Sequence, residues 1–167
     1  PAGLTCAAEL AKLGHAVTVF EARDRAGGLN TYGIVPLRLS VADSLAEVEM
    51  VRGLGVEIRT GVTVGREIPP EDLIRDYDAV FLGVGLGRGA PLGIPGEEIP
   101  GVYEALDVIA AAKLGELGTI SIGERVAVIG GGNTAIDAAT VAKRLGAAEV
   151  TVLYRRSEQE MPAYRYE

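Results

Sequence analysis

The sequence has little of what usually carries side-chain chemistry or covalent crosslinks. It holds one cysteine, one histidine and no tryptophan, and aromatic residues make up 5% of its 167 positions. A single cysteine, Cys6, excludes an internal disulfide framework, a C-x-x-C redox pair and a thiolate metal cluster. No apolar run reaches the roughly 18 residues that a membrane-spanning helix needs. There is no basic surplus either: 16 Lys and Arg stand against 23 Asp and Glu, for a net charge of −7 without long blocks of one sign. A nucleic-acid binder would cluster Lys and Arg on one face, so neither nucleic acid nor membrane is an expected partner. His15 follows Gly14 in a helix-to-strand turn and reads as a solvated turn residue, and Cys6 at helical spacing reads as a small core residue. No catalytic side chain and no metal ligand set is expected.

What is present is enough to fold. Apolar residues make up 48% and charged residues 23%, a balance that buries a core and argues against disorder. Glycine is in excess: 23 of 167 is about twice the usual 7%. With no collagen period, the glycines should mark tight turns and close backbone approaches. Leu4, Ala7, Ala8 and Ala11 recur at helical spacing and stop at Gly14, and Ala16 to Phe20 reads as a buried strand. Residues 23–29 are loop chemistry. Val41, Leu45, Val48, Val51 and Leu54 predict a helix stopped by Gly55; Val56-Glu57-Ile58 and Val62-Thr63-Val64 alternate like strands. Pro69-Pro70-Glu71-Asp72 starts a helix. Ala79-Val80-Phe81-Leu82 reads as a buried strand running into the glycines from Gly83 to Gly89, which would let backbone approach a ligand or end a domain. The turn-rich stretch to Pro100 suits an inter-domain crossing. A helix over Tyr103–Leu114, a strand over Arg125–Ile129, a helix over Asn133–Leu145 and a strand over Val150–Leu153 follow. This alternation predicts parallel α/β sheets of the doubly wound kind.

A shift of 132 residues places Gly3 on Ala135, Leu4 on Ile136, Ala7 on Ala139 and Gly14 on Gly146; one residue later, Val17-Thr18-Val19-Phe20 lies on Val150-Thr151-Val152-Leu153. The chain thus repeats one β-α-β unit, and the first copy opens inside its helix, as if its strand and glycine turn preceded Pro1. In the second copy Val126-Ala127-Val128-Ile129 runs into Gly130-Gly131-Gly132-Asn133-Thr134-Ala135, a G-x-G-x-x-A between strand and helix. Gly130 suits the tight turn, Gly132 lets backbone approach a pyrophosphate, and Ala135 allows helix to pack on strand. Free N–H groups at the helix start face the phosphates.

The copies differ where nucleotides are told apart. Glu21 ends the second strand of copy one, where a carboxylate can bond both ribose hydroxyls, as FAD or NAD would require. Copy two has Tyr154 there, followed by Arg155-Arg156, and guanidinium groups bind a 2′-phosphate bidentately, so this site leans to NADP. Glu21 as a solvated strand end and the arginines as a solvated basic turn are the plainer readings. The fold expected is α/β, with two Rossmann-like, three-layer dinucleotide-binding domains, both incomplete: an FAD domain over 1–98 and an NAD(P) domain over 99–167.

Glu21 to Gly27-Gly28-Leu29, the string Tyr32-Gly33-Ile34-Val35-Pro36-Leu37-Arg38-Leu39, Gly130 to Asp137, and Tyr154-Arg155-Arg156 through Met161-Pro162-Ala163 resemble the glutamate synthase small-subunit family and, equally, the flavin half of dihydropyrimidine dehydrogenases. The resemblance implies an oxidoreductase module in the cytoplasm that passes hydride from NAD(P)H to FAD and electrons onward through iron–sulfur clusters to a partner subunit or domain. It implies FAD contacts at Pro1, Ala2, Gly3, Leu4, Glu21, Gly28, Leu29, Arg38 and Val64. Its nicotinamide-nucleotide contacts fall on Gly131, Gly132, Asn133 and Thr134, beside Gly130, with Arg155 and Arg156 at the 2′-phosphate. The family's cysteine-rich segment and closing FAD motif are not in these residues, and no further basic residue lies between Arg156 and Pro162. Two other classes share parts of this pattern. A disulfide reductase would need a cysteine pair, and a non-catalytic nucleotide sensor would need only one site.

Overall fold

A computed structural model describes residues 1–87 and 89–164. It divides into two compact units, Pro1–Ile34 with Leu39–Gly87, and Val35–Arg38 with Arg88–Glu167. In the first, helix α1 (Ala2–Lys12) leads to strand β1 (Thr18–Glu21), the one-turn helix α2 (Leu29–Tyr32), helix α3 (Val41–Gly53), strand β2 (Glu57–Thr60) and helix α4 (Pro70–Asp76). In the second, helix α5 (Ala105–Leu114) precedes strand β3 (Arg125–Ile129), helix α6 (Asn133–Arg144) and strand β4 (Glu149–Leu153). Each unit holds one parallel pair: Thr18 opposite Glu57 through Glu21 opposite Thr60, and Arg125 opposite Glu149 through Ile129 opposite Leu153. Parallel neighbours joined through a helix are the doubly wound arrangement that alternating strands and helices predict.

The repeat is physical down to its hydrogen bonds. Helix α1 ends with Gly14 N–H on the Ala11 carbonyl and His15 N–H on the Leu10 carbonyl. Helix α6 ends with Gly146 N–H on Lys143 and Ala147 N–H on Ala142, the same pair 132 residues on. Both glycines are left-handed, at φ 90° and 106°. This is the Schellman ending, in which a glycine turns the chain so that two last-turn carbonyls are satisfied. From there each strand runs back alongside its helix.

Apolar faces set the packing. Ala7 of α1, Val48 of α3 and Val56 and Ile58 at β2 bury together with Ala26, joined by Leu4, Val17 and Val19. In the second unit Ala138 and Val141 of α6 pack on Val108 and Ile109 of α5 and on Val35. Val128 of β3 closes that cluster. Strands β3 and β4 alternate, with Val126, Val128, Val150 and Val152 turned inward and the residues between them exposed.

Two sequence expectations need correction. Ala79–Leu82 is neither a strand nor buried: Val80, Phe81 and Leu82 are 44%, 58% and 78% exposed. Its composition favours a strand, but a strand also needs a ladder partner, and none of the described strands lies beside it. Val62–Val64 forms no strand; Val62 N–H extends the β1 side by bonding the Glu21 carbonyl, and Val64 makes one isolated bridge to Ile68. The expected loop at 23–29 leads into a helical turn at Leu29–Tyr32, which the buried Thr31 and Tyr32 anchor. No helix among the described residues is long and apolar enough to cross a membrane.

That anchor is a polar knot. The Tyr32 hydroxyl donates to Asp24 Oδ1 at 2.8 Å and accepts from Arg25 N–H at 3.1 Å, while the Arg23 guanidinium lies 4.3 Å from its ring centre. Thr31 Oγ1 donates to the Ala26 carbonyl and meets Ser44 Oγ at 2.8 Å. Burial and the Asp24 bond push the Tyr32 phenol up from 10 to about 12, and that bond from Tyr32 holds the Asp24 carboxyl below its usual range. The phenol's contribution to stability is therefore complete below pH 10 and lost as pH rises to about 12. The Asp24 contribution is present above its ordinary pKa and lost as pH falls through the lowered value. Tyrosinate absorbance should show one of the six tyrosines titrating near pH 12. In Tyr32→Phe that last component should vanish, with a loss of about 1 kcal/mol of stability; its survival would place the late tyrosine elsewhere.

Candidate dinucleotide sites

The second unit shows the more complete site. Strand β3 enters Gly130, held at φ 137°, whose N–H bonds the Leu153 carbonyl of the neighbouring strand. A β-carbon at Gly130 would stand 3.3 Å from the β-carbon of Ala135, so small residues at both positions let α6 start directly behind the strand. Ala135 is 6% exposed. Around Gly132, the N-cap of α6, nothing stands within 4 Å of where a β-carbon would be. The first helical donors to find partners are Ala135 and Ile136, both on the Gly132 carbonyl. The earlier N–H groups of α6 have no intrahelical acceptor, as at every helix start, and present the positive end of the helix dipole. Thr134 is exposed beside them. The opening at Gly132 and these free donors fit a pyrophosphate.

The sequence pattern leaves residue 131 as an unassigned position, and the structure gives it a task. A β-carbon there would lie 2.6 to 2.8 Å from three atoms of the Tyr154 ring. Gly131 is buried under that ring, and its carbonyl accepts from Ala163 N–H at 3.1 Å. The Asn133 side-chain oxygen accepts from Tyr164 N–H at 3.0 Å. Residues 154–164 thus fold back over the glycine turn, an association that residue spacing did not show, although a third glycine at an unrestricted position was its signal. Arg155 and Arg156 follow the Tyr154 ring, exposed and without a hydrogen bond or ion pair among the described residues.

In the first unit several expected FAD contacts converge. Gly28, at φ 58°, caps α2, and a β-carbon on it would be 3.1 Å from the Pro1 ring. Gly3 in the first turn of α1 is crossed by Gly83: a β-carbon on Gly83 would meet the Gly3 Cα at 2.9 Å and its nitrogen at 3.0 Å. Both obstacles are backbone and cannot yield, so the glycine at 83 is tied to the start of α1. Ala2 opens the helix, Leu4 packs on the core, and Leu29 is 58% exposed. Glu21 closes β1, and its carboxylate accepts from Arg23 N–H at 3.0 Å, which fixes it at the strand end. Pro1, Gly3, Gly28 and Gly83 thus form a glycine-lined cradle packed closely at the start of α1, whose N–H groups before Thr5 have no intrahelical acceptor and suit a phosphate.

Two further expected residues make contacts of their own. Val64 belongs to the turn bridging to Ile68. Arg38 belongs to the second unit, where its guanidinium pairs with Asp137 at 3.1 Å. Asp137 lies one turn into α6. Cys6 is partly buried on α1 and His15 is exposed in its Schellman turn. No group of three or more His, Cys, Asp or Glu that could hold a metal occurs among the described residues.

Two parallel strand pairs joined through helices, with a glycine-rich cradle at the start of α1 and another at the start of α6, define a protein of the Rossmann-type α/β class. The chain belongs to the pyridine nucleotide-disulphide oxidoreductase family, which it matches over residues 1–166. It is 42% identical to the glutamate synthase (NADPH) small chain of Halomonas elongata, over 100% of this chain and 37% of that protein. To the NADP(+)-dependent formate dehydrogenase subunit beta of Moorella thermoacetica it is also 42% identical, over 100% of this chain and 24% of the relative. Among solved structures, Mycobacterium tuberculosis FprA in complex with NADPH superposes with a TM-score of 0.76 at 25% identity, covering 96% of this chain and 42% of FprA. The chain therefore spans well under half the length of these relatives.

The Tyr154 contact predicts an asymmetric pair of variants. Gly131→Ala should cost about 1–3 kcal/mol, because the new methyl collides with the ring. In a Tyr154→Ala background the same change should cost at least about 1 kcal/mol less. Denaturation midpoints of the four proteins check this, and additive losses would mean that the ring does not sit on residue 131.

Proposed function

We propose that the chain is the nucleotide-binding portion of an FAD-dependent NADPH oxidoreductase of the glutamate synthase small-subunit type. The observation that carries this reading is the pairing of two cradles in one repeat: an acid-ended strand in the first unit and an arginine-followed strand in the second. FAD would be held at Pro1, Ala2, Gly3, Leu4, Gly28 and Leu29, with Glu21 at the ribose. NADPH would be held at Gly130, Gly131, Gly132, Asn133 and Thr134, with Arg155 and Arg156 at the 2′-phosphate. Arg38 and Val64 complete the flavin contacts carried over from the resemblance. When bound, the two cofactors supply hydride transfer from nicotinamide to flavin. The protein's part is placement and charge.

NADP is favoured over NAD on two grounds. Guanidinium groups bind phosphate bidentately, and the two exposed arginines have no acidic partner among the described residues. The relatives named above carry NADPH or NADP in their names, as does the NADPH-Fe(3+) oxidoreductase subunit beta of Geobacter sulfurreducens, 40% identical over 98% of this chain. Those names differ in the substrate that exchanges electrons with the nucleotide, so we place that chemistry in another domain or subunit, reached through iron–sulfur clusters. A cytoplasmic location belongs to the same reading.

The visible spectrum of the purified full-length protein tests it. A bound flavin should be bleached anaerobically by NADPH and far more slowly by NADH. The double change Arg155→Ala, Arg156→Ala should weaken NADPH at least about tenfold and leave NADH unaltered. A protein without flavin, or a double variant with undiminished NADPH preference, would overturn the assignment.

A further inference from the structure

Residues 154–164 form a loop tied at both ends to one glycine turn. At its start the Tyr154 ring covers Gly131; at its finish Ala163 N–H bonds the Gly131 carbonyl and Tyr164 N–H bonds Asn133 Oδ1. Its middle is braced as well. Ser157 and Glu160 form a capping box around the 3-10 turn Glu158–Glu160, with Ser157 Oγ 2.8 Å from Glu160 Oε2. The Tyr154 hydroxyl donates to the Glu160 carbonyl at 3.1 Å. This is the construction of an Ω-loop, whose ends meet and whose interior is packed by its own side chains. The only residues between ring and capping box are Arg155 and Arg156.

The repeat shows what was exchanged. The residue aligned with Tyr154 is Glu21, which is held by Arg23 N–H at the end of β1. In the second unit that position has lost its carboxylate and gained a ring that turns onto the phosphate turn. An arginine pair on a mobile loop would lose conformational freedom on gripping a phosphate, whereas a loop already closed has met that cost during folding.

We propose that Tyr154 is a positioning residue for nucleotide specificity: through Gly131 and the Glu160 carbonyl it holds the loop closed, so that Arg155 and Arg156 meet a 2′-phosphate preorganised. The proposal rests on the NADPH reading above and names how that site gains its preference. Its consequence is selective. Loosening the loop weakens binding of a nucleotide that carries the 2′-phosphate and leaves one without it unchanged, since the glycine turn and the start of α6 serve both.

Calorimetric titration of the full-length protein with NADP+ and with NAD+ tests this in four proteins: the parent, Tyr154→Phe, Ser157→Ala, and Arg155→Ala, Arg156→Ala. Tyr154→Phe keeps the ring on Gly131 and removes only the bond to Glu160. It should raise the Kd for NADP+ about two- to tenfold with that for NAD+ unmoved, and Ser157→Ala should act in the same direction. Melting temperatures identify any variant that has lost its fold, in which case the other single variant decides. Equal weakening of both nucleotides, or no change in either, overturns the positioning role while the arginine double variant still abolishes the preference. If the double variant keeps the preference, the NADPH assignment fails and the proposal fails with it.

Discussion

A helix cannot satisfy its own first N–H groups, and the second unit is arranged around keeping those of α6 available. The strand before it must deliver the chain within a few residues, the residues at the turn must be small, and whatever covers the turn must leave the donors open. Gly130 against Ala135 meets the first two requirements, and the open space at Gly132 meets the third. The cover is placed one residue off, over Gly131, where it seals the turn without reaching the N-cap. Packing of α6 on α5 through Ala138, Val141, Val108 and Ile109 then fixes the direction in which those donors point.

The first unit answers the same constraint with different means. There the turn at the start of α1 is bounded by Gly28 on one side and by Gly83 crossing Gly3 on the other. These contacts are made by residues far apart in sequence, and they are held by features with no motif of their own. One is the buried Thr31–Ser44 pair; the other is the Tyr32 phenol on Asp24. The half-buried Glu21 and the exposed Arg155 and Arg156 are the points at which the two copies depart from each other.

Much of this was legible in the sequence because it is local. Gly14, Gly55 and Gly146 mark helix ends, the 132-residue shift aligns two helices and their Schellman turns, and the G-x-G-x-x-A lies between a strand and a helix as its spacing requires. What was not legible depends on partners distant in the chain. Ala79–Leu82 has the composition of a strand, but composition does not supply a hydrogen-bonded neighbour. Arg38 sits in a string that resembles a flavoprotein family, yet it pairs with Asp137, almost a hundred residues later. The fold of residues 154–164 onto Gly131 left only a spare glycine as its trace. Family membership, once established over residues 1–166, ties the duplicated unit to oxidoreductases.

The central claim is that the open donors at the start of α6, together with the arginines after Tyr154, form one NADPH site. Amide resonances of isotope-labelled protein, followed while NADP+ is added, test it most directly. The account predicts the largest shifts at Gly132, Asn133 and Thr134, with Arg155 and Arg156 shifting under NADP+ and remaining still under NAD+. Shifts that leave the glycine turn untouched, or that are the same for both nucleotides at Arg155 and Arg156, would contradict it.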